Sequence, residues 1–313
     1  MNPTLRTYAE LVRAPAALTV PGDVVAGALA THHTRPARTT GLAASSVALY
    51  WAGMALNDWA DRTQDATERP ERPIPSGRLT PRAALTTALG LTAAGLGLAA
   101  LAGGRRTLMR RTLPLAATVW AYDLGLKHTA LGPAAMAAAR ALDVLHGTGP
   151  GRTLPALPAA ATVAAHTYAV TRLSRHEVDG APTTEPALSL ATTTAITTTR
   201  LLSAAGAARL TRPAATSAAT LLTTRPAEPA GPAATLIAAT ALTTYATTCA
   251  RTQTAALRNP TAPRVRTAVG TGIHALLPLQ ATLVARTRTP LLALPLIAAL
   301  PLAARLARKN SPT

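Results

Sequence analysis

The chain has 313 residues, enough for a large core, and 48% of them are hydrophobic. The net charge of +18 could suggest a nucleic-acid partner. However, the arginines stand in short clusters between apolar segments, as in loops that face anionic lipid, and no basic stripe is interleaved with aromatic residues. We therefore expect no nucleic-acid binding. The single cysteine, Cys249, excludes a disulfide framework and a thiolate metal site.

Apolar stretches of membrane-spanning length follow one another along the chain. Four of them lack Asp, Glu, Lys and Arg and are long enough to cross a bilayer as helices: 83–104, 153–171, 229–250 and 267–285. Two more are uncharged but slightly short, and four carry an occasional charge: 41–57 and 289–304, then 12–31, 112–126, 131–147 and 186–204. Residues 205–230 predict a loop or a broken helix. We predict an all-α, multi-pass transmembrane helical bundle of nine or ten helices, in a single domain over residues 5–309.

Lysine and arginine positions predict the orientation of this bundle. If the N-terminus is cytoplasmic, the loops at 60–79 and 172–185 are cytoplasmic too. That side then carries more basic residues than the other, although a group of four arginines crowds one outer loop: Arg105, Arg106, Arg110 and Arg111. We expect an integral protein of the cell membrane with both loops on the cytoplasmic side.

An acidic motif ends the apolar stretch at 41–57. Asn57, Asp61 and Asp65 are spaced i, i+4 and i+8, which places them on one face of a helix. Such oxygen ligands suit Mg²⁺, which proteins usually hold through one or two carboxylates together with water and substrate phosphate. Arg69 and Arg72 follow among several prolines. Acids for a metal and arginines for phosphate, at a membrane edge, predict a diphosphate-handling site.

The acidic residues concentrate in two loops on the same predicted side. Of the 13 in the chain, five lie between residues 58 and 71, and three more are Glu177, Asp179 and Glu185. One interpretation is that both loops are simply solvated surfaces with balanced charge. The other is that two carboxylate clusters face each other across a cavity, each holding a metal that bridges one diphosphate.

The motif and its surroundings resemble the UbiA superfamily of intramembrane prenyltransferases. The family motif NDxxDxxxD is matched at Asn57, Asp58, Asp61 and Asp65, and the RPxRPIPSG tail follows from Arg69 to Gly77. Shorter similarities to the first, fourth and fifth helices of the family cover much of the chain: Arg13 with Gly22 and Asp23, then Tyr122 with Lys127, then Met136 with Arg140 and Gly147.

The second family motif, DxxxD, departs from its usual form. Glu177 stands at the first aspartate, but the residue four positions later is Ala181. Asp179 and Glu185 are nearby acids outside the register. The loop from Ser174 to Asp179 is similar to that of the EboC-type subgroup of UbiA-like proteins.

The resemblance implies a helical bundle with a central cavity open to the bilayer. It implies Mg²⁺-dependent transfer of a prenyl group from an allylic (poly)prenyl diphosphate to a small aromatic acceptor, with release of diphosphate; membrane lipid is the surrounding partner. By this resemblance, residues have the following expected roles. Metal ligands are Asn57, Asp61 and Asp65 at one site and Glu177 with Asp179 at the other; diphosphate partners are Arg69, Arg72, Lys127 and Arg175; catalytic residues are Asp58, Asp61, Asp65, Glu177 and Lys127.

Several polar residues in the predicted spans have two interpretations. Tyr122 either orients the allylic cation or anchors a helix at the interface. Arg140 and Asp143, at i and i+3, either bind the acceptor or form a structural pair. Asp23 either lines the cavity or, by default, pairs with Arg13.

A second hypothesis comes from a different functional class. The chain could be a non-catalytic carrier or scaffold that keeps the fold and binds a metabolite or lipid diphosphate in its acidic cavity. Loss of Asp61 or Asp65 distinguishes the two, because a carrier tolerates it and a transferase does not.

Overall fold

The computed structural model describes residues 2–31, 35–210, 231–287 and 289–310, and in these residues it consists of helices and connecting turns without a strand. The α-helices are numbered in chain order. They are α1 (Pro3–Leu11), α2 (Pro21–Ala30), α3 (Pro36–Ala60), α4 (Arg62–Glu68), α5 (Pro81–Thr107), α6 (Leu113–Leu124), α7 (Gly132–Gly147), α8 (Leu157–Ser174), α9 (Thr184–Leu210), α10 (Pro232–Arg258), α11 (Ala262–Ala285) and α12 (Leu294–Asn310). The prediction of an all-α bundle is confirmed.

Each of the ten predicted spans corresponds to a helix of the structure, from α2 and α3 to α5–α12. Within the described residues, three helical stretches are long and apolar enough to cross a membrane by themselves: Pro81–Leu124, Pro232–Arg258 and Ala262–Ala285. The first combines α5 and α6 through a π-helical turn at Leu108–Thr112. An integral membrane location follows. The region predicted as a loop or broken helix falls partly in α9, which continues to Leu210, and residues 211–230 lie outside the described part.

Proline and threonine, which lower the mean hydropathy, are placed where a helix tolerates them. In the described part of the chain, eleven of the twelve helices, all except α4, have proline among their first three residues, where the missing N–H has no helical partner to lose. Threonine hydroxyls inside the helices donate to the carbonyl oxygen four residues earlier, as Thr118 does to Pro114 at 2.8 Å and Thr162 to Pro158 at 2.7 Å. The polar groups are thus satisfied within their own helix, which apolar surroundings require.

Glycines allow two central helices to cross at close range. A Cβ on Gly27 of α2 would lie 1.7 Å from the carbonyl oxygen of Val144 in α7. A Cβ on Gly147 of α7 would in turn lie 2.1 Å from the carbonyl oxygen of Val24. Small residues at membrane helix crossings permit this approach. α2 and α7 together join the α3–α6 half of the bundle to the α8–α11 half.

One end of the bundle carries the predicted site. The segment after α3, the α6–α7 connection and the α8–α9 connection meet there through long-range contacts. Lys127 pairs with Asp61, and Arg175 donates to the carbonyl oxygen of Thr129 at 2.7 Å. The backbone N–H of Ala181 donates to Pro260 O at 3.0 Å, which brings the α10–α11 connection to the same end.

Candidate active site

The first acidic motif lies across the junction of α3 and α4 and keeps the predicted helical register. α3 ends at Ala60, but the N–H groups of Asp61, Asp65 and Arg69 still donate to the carbonyl oxygens four residues earlier, at 2.9, 2.8 and 2.8 Å. The i, i+4, i+8 row therefore continues across the junction. The side chains, however, have different partners.

Two buried carboxylates of the motif share one arginine. Arg72 Nη1 lies 2.5 Å from Asp65 Oδ2 and 3.3 Å from Asp58 Oδ1. Arg13 Nη2 lies 2.8 Å from the same oxygen of Asp58, and Arg69 lies 3.7 Å from Asp65. Asp58 and Asp65 are nearly inaccessible to solvent, so these cations compensate charges that water does not reach.

The proline-rich tail brings Arg72 back over the motif. The N–H groups of Ser76 and Leu79 donate to Arg72 O and Pro73 O at 3.0 and 2.9 Å, which closes consecutive turns. Gly77 has φ of 73°, a conformation that glycine adopts without strain. The tail is therefore a compact, internally bonded loop and a rigid support for Arg72.

The third carboxylate of the motif is paired with the lysine after α6. α6 ends at Leu124, and a 3₁₀ turn at Leu126–His128 follows. Lys127 Nζ lies 2.7 Å from Asp61 Oδ1, and His128 Nε2 lies 3.6 Å from it. The lysine ammonium group has three N–H donors, so Lys127 can contact a second anion while it stays paired with Asp61.

Asp123 is a site residue that the sequence analysis missed. Asn57, predicted as a metal ligand, donates from Nδ2 to Asp123 Oδ1 at 3.2 Å, while Arg13 lies 3.5 Å from the amide oxygen of Asn57. Asp123 is buried. The available signal was an acid inside the predicted span 112–126, because charges in such spans usually face an internal cavity.

A cavity of about 90 Å³ lies directly below the motif. It is lined by Val20, which precedes α2, and by apolar side chains of α3, α6 and α7, together with a few polar ones, among them Tyr50, Tyr122, Asp123, Arg140 and Asp143. The three residues predicted to bind substrate thus all border this cavity. Ligand pockets usually measure roughly 300–1,000 Å³, so a prenyl substrate requires the lining side chains to move or its chain to extend into lipid.

The base of the cavity holds a buried polar network, and its pairing corrects the expectation for Asp23. Arg140 Nε lies 2.9 Å from Asp23 Oδ2, and Gln280 Nε2 donates to Asp23 Oδ1 at 2.7 Å. The default pairing of Asp23 with Arg13 was therefore wrong, because Arg13 binds Asp58 at the mouth of the site.

Arg140 and Asp143 do not form the structural pair that was one of the two interpretations of their spacing. Asp143 accepts a hydrogen bond from the Ser46 hydroxyl of α3, and Arg140 is held by Asp23 and by the carbonyl oxygen of Thr19 at 3.0 Å. Each side chain thus contacts a different neighbouring element.

The α8–α9 connection carries the residues predicted as a second metal site. Glu177 is half-buried; burial raises its pKa, and the charges of Arg266 and Arg69 oppose this rise. Asp179 is exposed, and Glu185 forms an ion pair with Arg172. Among the residues that the structure describes, no three His, Cys, Asp or Glu side chains are grouped closely enough to hold a metal by themselves.

A larger, open groove of about 620 Å³ runs along α9 and reaches Leu257 of α10. Its lining is alanine, threonine and leucine, without an ionisable side chain. It therefore lacks the groups that a diphosphate requires.

Comparison with known proteins identifies the family. The UbiA prenyltransferase family matches residues 19–260. The chain belongs to this family. Among curated proteins, the chain is similar to the digeranylgeranylglyceryl phosphate synthase of Methanopyrus kandleri. The two are 39% identical over 137 residues, and this aligned region covers 41% of this chain and 46% of the relative. The chain is also 38% identical over 149 residues to the synthase of the same name from Ignicoccus hospitalis, and that aligned region covers 46% of this chain and 47% of the relative. The UbiA chain thus spans about half the length of the curated relatives that it matches.

Solved structures confirm the UbiA fold. The apo structure of a UbiA homolog from Aeropyrum pernix K1 has a TM-score of 0.61 at 17% identity and covers 85% of this chain and 96% of that one. A structure from work on digeranylgeranylglyceryl phosphate synthase in membranes has a TM-score of 0.59 at 14% identity and covers 90% and 99%. The EboC-type resemblance of the loop from Ser174 to Asp179 stays a prediction.

Proposed function

We propose that this UbiA protein transfers a prenyl group from an allylic prenyl diphosphate to an acceptor within the membrane and releases diphosphate. The observation that carries the proposal is the position of the cavity. Asp123 lines the cavity and also accepts the hydrogen bond of Asn57, so the apolar space adjoins the acidic motif. An allylic diphosphate has the matching polarity, with an anionic head and an apolar tail.

The donor set of the first motif fits Mg²⁺. Its ligands are hard carboxylate and amide oxygens, and Mg²⁺ needs one or two protein carboxylates when substrate phosphate completes its shell. Asp61 and Asp65, with Asn57, would hold the ion. When bound, Mg²⁺ neutralises part of the charge that develops on the leaving diphosphate.

The cations of the motif would bind the diphosphate itself. Arg72 Nη1 lies 2.5 Å from Asp65 Oδ2, and Lys127 Nζ lies 2.7 Å from Asp61 Oδ1, next to the mouth of the cavity. Arginine can contact phosphate oxygens through two parallel donors, and lysine acts as a compact charge. Arg69 and Arg175, which are more exposed, are the other phosphate partners.

The chemistry of the transfer assigns distinct roles to the cavity residues. The C–O bond of the allylic diphosphate breaks, and its electron pair leaves with the diphosphate. A nucleophilic atom of the acceptor then bonds to the allylic carbon and loses its proton. We assign acceptance of that proton to Asp123, the cavity carboxylate that contacts Asn57 of the motif. The apolar lining excludes water from the cation, and Tyr122 faces the same space.

The relatives indicate which acceptor to test first. The sequence analysis expected a small aromatic acceptor, whereas the curated relatives are named for a glyceryl phosphate product. A glyceryl phosphate lipid with a free hydroxyl is therefore the first acceptor, and a phenol is the second. We further propose that the acidic motif and the α8–α9 loop face the cytoplasm, where soluble Mg²⁺ and diphosphate are exchanged.

Diphosphate release by the purified protein in nanodiscs tests the proposal. Geranyl and geranylgeranyl diphosphates are supplied with Mg²⁺, with and without each acceptor. We expect release that needs Mg²⁺ and an acceptor and that Asp61→Asn abolishes. Donor binding without turnover in the presence of either acceptor, unchanged by Asp61→Asn, would instead support a non-catalytic carrier.

A further inference from the structure

The α8–α9 loop has lost most of the carboxylates that a metal site needs. The position four residues after Glu177 is Ala181, whose N–H is used by Pro260 O. Glu185 is buried and paired with Arg172, and Asp179 is exposed to solvent. Among these acids in the described part of the chain, Glu177 is consequently the one that is partly buried and forms no ion pair.

Two arginines, Arg266 and Arg69, interact with Glu177. Arg266, in the first turns of α11, donates from Nη2 to the carbonyl oxygen of Glu177 at 3.4 Å. Arg69, like Arg266, acts electrostatically on the Glu177 carboxylate, and it also lies 3.7 Å from Asp65. Arg69 of the proline-rich tail thus interacts with acids of both loops, and Arg266 of α11 with Glu177.

These arginines retain donors for a ligand. Within the described residues, Arg266 forms no ion pair, and its hydrogen bond to Glu177 O is long. Arg175 likewise contacts a backbone carbonyl, that of Thr129, rather than a carboxylate. A guanidinium has five donors, so each keeps most of its hydrogen-bonding capacity.

We infer that this half of the site is basic: Arg266, with Arg69 and Arg175, binds a diphosphate oxygen directly, and the chain takes one divalent metal, at the first motif. The inference rests on the proposed function and names the groups that hold the diphosphate on the side of the α8–α9 loop. A guanidinium supplies fixed positive charge and paired donors that match phosphate geometry. It can therefore neutralise a diphosphate oxygen without a second ion.

Metal stoichiometry measured independently of turnover tests this inference. The full chain in nanodiscs is titrated with Mn²⁺ by electron paramagnetic resonance, with a prenyl thiolodiphosphate whose C–S bond resists ionisation. We expect one Mn²⁺ per chain in the wild type and also in Glu177→Gln. Two ions per chain, with one lost in Glu177→Gln, would overturn the inference and leave the proposed function intact.

Analogue affinity provides the second readout. Arg266→Gln is expected to weaken binding of the thiolodiphosphate at least about tenfold, and Arg266→Lys to restore part of it because the charge remains. Arg264→Gln is the matched control, since Arg264 is an exposed residue of the same helix that contacts Ala255 O at 3.3 Å. Equal affinities of the Arg266→Gln and Arg264→Gln variants would overturn the inference. Failure of the analogue to bind the wild type would overturn the proposed function together with it.

Discussion

Lys127 Nζ lies 2.7 Å from Asp61 Oδ1, which ties the turn after α6 to the end of α3. The two residues are 66 positions apart in sequence, yet they form one ion pair at the mouth of the cavity. The pair combines a candidate metal ligand with a candidate phosphate ligand. Each is therefore held in place by the charge of the other before substrate arrives, which reduces the ordering that binding requires.

Lys127→Met is expected to weaken diphosphate binding. The substitution removes the cation beside Asp61 but keeps an unbranched side chain of similar length. We expect the dissociation constant of a prenyl thiolodiphosphate to rise at least about tenfold, which corresponds to about 1.4 kcal/mol. Lys127→Arg is the control and should retain most of the affinity. Unchanged binding by Lys127→Met, measured by isothermal titration in nanodiscs, would remove Lys127 from the phosphate site.

Asp123→Asn is expected to reduce turnover more than binding. The new amide oxygen can still accept the hydrogen bond of Asn57 Nδ2, now 3.2 Å from the Asp123 carboxylate, so the local structure is kept while the negative charge is lost. A positioned base contributes about 10²–10⁴-fold to a rate, and we expect kcat to fall within that range. Steady-state kinetics measures kcat for the variant and the wild type, and a binding measurement should show that both have the same affinity for the donor. A variant with wild-type kcat would show that another group takes the proton.

Arg140→Met is expected to destabilise the bundle. It leaves Asp23, which is fully buried, without the guanidinium 2.9 Å away. Removing one partner of a buried pair costs about 3–5 kcal/mol. Thermal unfolding in detergent should therefore shift to clearly lower temperature. The double variant Asp23→Leu/Arg140→Met should recover most of the loss, whereas equal instability of the single and double variants would contradict a pairwise origin.

Gly27→Ala is expected to disrupt the crossing of α2 and α7. The added Cβ would lie 1.7 Å from Val144 O, so one helix must shift. Gly97→Ala in α5 is the matched control, because its Cβ would meet no atom within 4 Å. Alanine in place of an unconstrained helical glycine stabilises by about 0.5–1 kcal/mol. The two variants should thus change the unfolding temperature in opposite directions; a similar effect of both would argue against close packing at Gly27.

The contact between Glu10 and Arg78 predicts a pH-dependent contribution to stability. α1 lies at the motif end, outside the spans, and the hydrogen bond from Arg78 lowers the pKa of Glu10 from 4.5. A carboxyl with a lowered folded-state pKa stabilises above its unfolded pKa, and this contribution is lost as the pH falls through the folded value. Glu10→Gln should therefore melt below the wild type at neutral pH and match it in acid. High salt should narrow the difference, because both side chains are partly exposed. A difference independent of pH would contradict the ion pair.

The fold could be read from sequence because charge-free stretches and their separating loops are local features. The spacing of Asn57, Asp61 and Asp65 likewise survives the break at the end of α3, since helical hydrogen bonds continue across it. Residues on one helix have fixed positions relative to one another, so their spacing in the sequence predicts which of them share a face.

Pairing between distant elements could not be predicted in the same way. Asp23 was expected by default to pair with Arg13, but the crossing of α2 and α7 places Arg140 beside it instead. Glu185 appeared from sequence to be available as a metal ligand, but its carboxylate forms an ion pair with Arg172 on the preceding helix. These outcomes depend on how helices rotate against each other, which the spacing within a single helix does not encode.

Formation of a prenylated product is the most direct measurement of the central claim. Geranylgeranyl diphosphate deuterated in the prenyl chain is incubated with the wild type, Mg²⁺ and either a glyceryl phosphate lipid or a phenol, and the lipid extract is analysed by mass spectrometry. The account predicts a deuterated adduct of an acceptor, formed together with diphosphate and absent with Asp61→Asn. If the protein binds the donor but the reaction leaves both the donor and the acceptor unchanged, the proposed prenyl transfer is contradicted.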